Sequence, residues 1–157
     1  MRVLIQRVSD ASVRVDGVTI ASIGPGLLLL AGVTHDDDQS TASRMASRIA
    51  NLRVLDDENG VMNRSMLNCL ETNAASAEIM VVSQFTLYAD CRKGRRPSYT
   101  QAACPELAES LVGALCSDLR ASGIPVQQGQ FGAEMVVSLT NQGPVTIWLD
   151  SDDLFHT

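Results

Sequence analysis

The run Leu27-Leu28-Leu29-Leu30-Ala31-Gly32-Val33 constrains this chain more than any other stretch. It is far too short for a membrane-crossing helix, which needs about 20 residues. It shows no apolar–polar alternation, so neither face of a strand built from it suits water. Gly24-Pro25-Gly26 turns the chain ahead of it, and the polar Thr34-His35-Asp36-Asp37-Asp38 ends it. The run reads as a central strand buried on both faces, so the rest of the chain must supply two covering layers.

Candidates for those layers lie on both sides. Val3, Leu4 and Ile5 open a strand. Val13-Arg14-Val15 and Val18-Thr19-Ile20 flank Asp16-Gly17, a pair suited to a primed hairpin turn. Glu78 to Gln84 is a second buried strand. From Asp38 to Leu52, Ala42, Met45, Ala46, Ile49 and Ala50 recur at helical spacing. The three preceding aspartates suit the positive end of that helix and read as solvated. LRVLDDENG is a short strand and a turn, and residues 63–78 form a loop with a helical turn.

A second helix is expected over Pro105–Ser122, with Pro at its first position and Gly123 beyond its end. Ala108, Leu111, Val112, Leu115 and Leu119 make its apolar face. Two strands close the chain, Glu134–Thr140 and Val145–Asp150, with Asn141-Gln142-Gly143-Pro144 as the hairpin between them. The expected fold is one α/β domain over residues 1–157. Its sheet is mainly antiparallel and barrel-like, with two main helices packed on it.

Composition removes several function classes. Aromatic residues make up 4% of the chain and its formal charge is −6, which disfavours a general nucleic-acid coat or a membrane-surface protein but allows a local basic patch. Cys69, Cys91, Cys104 and Cys116 form no CxxC pair, and MRVLIQRV turns polar too soon for a secretory leader. Reduced, mostly structural thiols in a cytoplasmic protein are expected. His35 and His156 have no Ser or Cys partner in sequence, which disfavours a nucleophile–histidine machine. No ligand spacing suggests a metal, and no glycine-rich loop suggests a nucleotide cofactor, so neither is expected. An enzyme built from this chain has to work with backbone donors, hydroxyls and amides.

Three stretches stand out against that background. Ser83-Gln84-Phe85-Thr86 places polar groups where a buried strand should continue. Such groups need partners. The plainer account has Ser83 and Thr86 bonding local backbone while Phe85 and Leu87 plug the core. Arg92, Lys93, Arg95 and Arg96 put four of the twelve basic residues in one loop, which is either a solubilising turn or a phosphate contact. Gly143-Pro144 stands at a strand entrance, where Pro is tolerated and Gly allows close approach.

Taken in order, IQRV (5–8), VDG (15–17), MN (62–63), SQFTLY (83–88), GRRPSY (94–99), AACPELAESL (102–111), QFGAEMVV (130–137) and NQGPVT (141–146) resemble the D-aminoacyl-tRNA deacylase family. The combination of SQFTL with a late GPVT is the specific part. The resemblance implies a homodimer that hydrolyses the ester joining a D-amino acid to the 3′ end of tRNA and rejects L-amino acids. It implies that Gly143-Pro144, cis in the family, enters the partner's active site. Ser83, Gln84, Phe85 and Thr86 are the expected catalytic segment. Arg7 holds the Gly-Pro motif, and Thr146 and Met135 complete the substrate-binding set. Gln142 stands where the family commonly has Asp, and the segment 69–78 is longer than usual.

Chemistry gives these assignments content. Main-chain carbonyls can hold the substrate's ammonium group and occupy the space an L side chain would need, so selection works by exclusion. Glycine has nothing to exclude, so glycyl-tRNA, including glycine mischarged on tRNA-Ala, should be cleaved. N–H groups near Phe85 and Thr86 would stabilise the oxyanion, and the terminal 2′-hydroxyl would help activate water. Thr86 has no base to make it a nucleophile. Arg92, Lys93, Arg95 and Arg96 would meet tRNA phosphates. No DNA or membrane partner is expected. The alternatives are a non-catalytic nucleic-acid-binding homodimer and a plain dimeric scaffold.

Overall fold

The computed structural model describes residues 1–72 and 77–155. Strand β1 (Arg2–Val15) is the spine of the sheet. It turns at Asp16-Gly17, both at positive φ (51° and 79°), into β2 (Val18–Ile23). β3 (Gly26–Gly32) pairs antiparallel with the first half of β1. β6 (Glu78–Ser83) runs parallel to β3, and β7 (Val126–Gln128) parallel to β6. β4 (Leu55–Asp56) and β5 (Met62–Arg64) form a separate small hairpin. The main sheet is therefore mixed, in the order β2-β1-β3-β6-β7, with β8 (Val136–Asp150) on the other side of β1.

The leucine run behaves as its composition requires. Leu27, Leu29 and Ala31 face one apolar cluster, and Leu28 faces a second. β6 does the same, sending Ile79 and Val81 to the first and Met80 and Val82 to the second. Helices α1 (Gln39–Asn51) and α3 (Pro105–Ala121) cover the first cluster. α1 buries the five residues expected of it, and α3 adds Cys116 to its expected face while Ala108 stays half-buried. The second cluster lies on the opposite face of the sheet, where Val8, Val13 and Ile23 join Leu28, Met80 and Val82. Each such side chain contributes about 1.5–3 kcal/mol on burial.

Several elements depart from the sequence reading. The aspartates are not all solvated. Asp38 caps α1 through the Thr41 N–H at 2.8 Å, which holds its carboxyl below the usual range, but Asp37 is buried. Asp37 accepts bonds from the Met1 ammonium and from the Thr34 N–H. Short elements without a strong period also appear: β7, α4 (Ser151–Phe155) and a 3-10 turn at Phe85–Tyr88, while the helical turn expected within residues 63–78 is α2 (Met66–Glu71). Part of the long segment 69–78, and His156, lie outside the described residues. Cys69 and Cys116 are buried, but Cys91 and Cys104 are exposed, so only two of the four free thiols are structural.

The largest correction concerns NQGP. It is not a hairpin. β8 is antiparallel to β1 along its whole length, from Arg2↔Asp150 to Arg14↔Val136. A reversal at NQGP would make one half parallel. Instead Gln6 faces Thr146 and Val8 faces Asn141, so residues 142–145 stand opposite Arg7 alone. The extra residues leave the ladder as a bulge. Pro144, which has no N–H, costs the sheet nothing there.

Candidate active site

Because β3 and β6 are parallel, their carboxyl ends lie side by side, and ligands of such sheets bind beyond those ends. A cavity of about 650 Å³ opens there. Ala31, Val33, Val82 and Ser83 form its floor, α3 gives Ala108 and Val112, and Phe131 and Met135 close another side.

The turn after β6 is mounted on this floor. The Gln84 N–H donates to the Ala31 carbonyl at 2.7 Å. Gly32 makes the fit possible, since a Cβ there would come 2.9 Å from the Gln84 carbonyl oxygen and 3.2 Å from Leu87 Cβ. Arg2 ties the far end of the turn. Its Nε donates to Asp150 at 2.8 Å, its Nη1 donates to the Leu87 carbonyl at 3.0 Å, and its guanidinium stacks over Tyr88 at 4.4 Å.

This geometry presents groups to the cavity. Phe85 does not plug the core. It is 56% exposed and meets Tyr99 edge to face at 5.0 Å, forming a wall. The Phe85 and Thr86 N–H groups find no acceptor among the described residues. Ser83, Gln84 and Phe85 line the cavity; Thr86 does not, and its hydroxyl accepts from the Gln84 amide behind them. Met135 joins them, its sulfur lying where a Cβ on Gly129 would come within 2.7 Å.

Among the described residues, no general base stands at this turn. His35 Nε2 is engaged with the Thr100 carbonyl at 2.8 Å. Burial, with help from the carboxylates of Asp37 and Asp150, raises the Tyr88 phenol well above its ordinary value, so it stays neutral. Burial also raises the Cys116 thiol to about 11, which removes it as a nucleophile.

The remaining expected site residues lie elsewhere in the chain. Arg7, Gly143, Pro144 and Thr146 do not line this cavity. Gln142, Gly143 and Pro144 project from β8 and are exposed. The Gly143–Pro144 peptide is cis, and Gly143 has φ of 128°. The Arg7 Nε donates to the Gln142 carbonyl at 3.1 Å. Asn141, which the sequence reading passed over, cinches the bulge: it accepts from the Val145 N–H at 2.9 Å and donates to the Val145 carbonyl at 3.3 Å and to Thr146 Oγ1 at 3.0 Å. An Asn entering a Gly-Pro turn was the available signal.

The basic loop, residues 91–97, is exposed throughout. Arg92 is not free, since Asp90 grips it through two bonds of 2.8 and 2.7 Å. That pairing depresses the Asp90 carboxyl to about 2. Lys93, Arg95 and Arg96 make no ion pair among the described residues.

The chain has clear relatives. The family model described as D-Tyr-tRNA(Tyr) deacylase matches residues 4–150. A D-aminoacyl-tRNA deacylase of Thermomicrobium roseum is 56% identical, over 98% of this chain and 96% of its own. The D-aminoacyl-tRNA deacylase of Clostridioides difficile is 50% identical, over 99% of this chain and 100% of its own. The solved c-Myc DNA Unwinding Element Binding Protein superposes with a TM-score of 0.85 at 37% identity, covering 96% of this chain and 98% of that one. A probable eukaryotic D-amino acid tRNA deacylase shares the fold, with a TM-score of 0.79 at 16% identity.

A cavity beyond the ends of two parallel strands, in a chain with these relatives, belongs to a hydrolase acting on an ester bond. Within that class, the chain belongs to the D-Tyr-tRNA(Tyr) deacylase family. Among the described residues, no helix is long and apolar enough to cross a membrane.

Proposed function

We propose that this protein hydrolyses the ester between a D-amino acid and the 3′ end of tRNA, working as a homodimer with its active sites at the subunit interface. The observation that carries this reading is the separation of its two halves. The catalytic turn faces a cavity, while Gly143-Pro144 projects from the same protomer without lining that cavity. A partner's Gly-Pro bulge completes the site. Val136, Leu139 and Trp148 on β8 are 53%, 36% and 46% exposed, more apolar surface than an isolated strand should show. Covering them fits a second copy.

In the assembled site the Gly-Pro carbonyls hold the ammonium group and exclude an L side chain. The N–H groups of Phe85 and Thr86, free of other acceptors, stabilise the oxyanion. The neighbouring 2′-hydroxyl of the tRNA helps activate water. Thr86 positions rather than attacks, since its hydroxyl meets the Gln84 amide and no base. Met135 and Thr146 contact the substrate, and Lys93, Arg95 and Arg96 meet tRNA phosphates. Glycine carries no side chain to reject, so glycyl-tRNA, including glycine mischarged on tRNA-Ala, is also cleaved.

The test is incubation of D-tyrosyl-, L-tyrosyl- and glycyl-tRNA with catalytic amounts of protein. Many turnovers on the D and glycyl esters with the L ester spared are expected. Binding without turnover would favour a non-catalytic nucleic-acid-binding homodimer. Equal rates on both enantiomers, or a monomer at working concentration, would end the proposal. Thr86→Ala should retain substantial activity, and an acyl-Thr86 adduct trapped by acid quench would contradict this account.

A further inference from the structure

The carbonyl that anchors the bulge, that of Gln142, is held by Arg7, and Arg7 is itself held from behind. Its side chain is 10% exposed, and its Nη1 donates to two acceptors on the β4–β5 hairpin: the Val54 carbonyl at 3.1 Å and the Asp56 carboxylate at 2.7 Å. The Nε on the other side donates to Gln142. Nη2 lies where a Cβ on Gly143 would come within 3.0 Å. One guanidinium therefore joins two segments that share no sequence neighbourhood. A guanidinium is planar, with its N–H directions fixed relative to one another, so orienting Nη1 also orients Nε.

We infer that Asp56 is a positioning residue for enantiomer discrimination: from the β4–β5 hairpin it fixes the plane of Arg7, and Arg7 fixes where the Gly143-Pro144 carbonyls point. The inference rests on the reading of Gly-Pro as the chiral element. Val54 contributes only a neutral acceptor, whereas Asp56 contributes a charge-assisted bond that is shorter and stronger. The Asp56 side chain is 45% exposed, so its removal leaves no buried cavity and lets water reach the Arg7 guanidinium. The sequence alone hides this role, because Asp56 sits in a DDEN stretch that reads as an ordinary polar turn.

The experiment compares D-tyrosyl- and L-tyrosyl-tRNA hydrolysis by the full homodimer, corrected for spontaneous hydrolysis. Using one tRNA cancels any change in tRNA affinity from the ratio. Asp56→Ala is expected to lower the D-to-L ratio of kcat/KM about fivefold, the scale of losing one half-exposed charge pair. The midpoint of thermal unfolding should stay near that of the parent. Asp56→Glu should recover most of the ratio. A parent-like ratio in Asp56→Ala overturns the inference, and so does a loss that Asp56→Glu fails to reduce. Gly143→Ala runs beside them and perturbs the bulge directly. If Gly143→Ala keeps the parent ratio, the chiral reading of Gly-Pro has failed. If only Gly143→Ala loses it, the reading stands and the role of Asp56 has failed.

Discussion

The turn after β6 and the bulge in β8 both bring main-chain polar groups to a place where a strand would otherwise continue, and they are held in opposite ways. The Ser83–Thr86 turn is carried by packing. Its strand is buried on both faces, its Gln84 N–H donates to the Ala31 carbonyl, and Gly32 lets it settle against β3. The Gly-Pro bulge is exposed and is carried by side chains, Asn141 within it and Arg7 behind it. Damage to the first should therefore appear as lost stability together with lost rate. Damage to the second should appear as lost selectivity on an intact fold.

The sharpest attack on that contrast is Gly32→Ala. The new Cβ would come 2.9 Å from the Gln84 carbonyl oxygen and 3.2 Å from Leu87 Cβ, so something must shift. Overpacking of this kind costs about 1–3 kcal/mol. Thermal unfolding should move down by several degrees and kcat/KM should fall with it. A variant as stable and active as the parent would mean the turn is not held by packing.

Asn141→Ala addresses the other region. It removes three bonds that close a half-exposed bulge, so the stability loss should be about 1 kcal/mol. The D-to-L ratio should fall about tenfold, roughly 1.4 kcal/mol of discrimination. If stability falls and selectivity does not, the two regions are not held differently.

Charge reversal at Arg95 and Arg96 lies outside both regions and should disturb neither. KM for the aminoacyl-tRNA is expected to rise several-fold and the salt dependence to flatten, while the D-to-L ratio stays unchanged. An unchanged KM would reduce this loop to a solubilising turn.

The smallest effect concerns Asp90. Its carboxyl is lowered to about 2, first by the side-chain bond from Arg92 and then by the Arg92 backbone N–H. A depressed value means that the pairing is present above the ordinary carboxylate range and is lost only as pH falls through about 2. The loop should therefore keep one arginine neutralised across the working pH range. Carboxyl NMR should place the Asp90 midpoint below those of exposed aspartates, and Asp90→Asn should raise the salt sensitivity of tRNA binding slightly.

What sequence alone determines here follows from short-range rules. The doubly buried strand, both long helices, the Asp16-Gly17 turn and the α3 start at Pro105 rest on period, propensity and local turn chemistry. These act within a few residues and leave a readable pattern. Only the tertiary structure decides that Gly143-Pro144 is a bulge, because a chain reversal and a strand insertion share the same local residues. They differ only in what lies alongside, which here is β1 on both flanks. The same holds for Arg7, which acquires its role by standing opposite the bulge, and for Asp56, 49 residues away, which reaches it through an independent hairpin. Periodicity reports which side of an element faces the core, but it carries no information about which distant side chain arrives there.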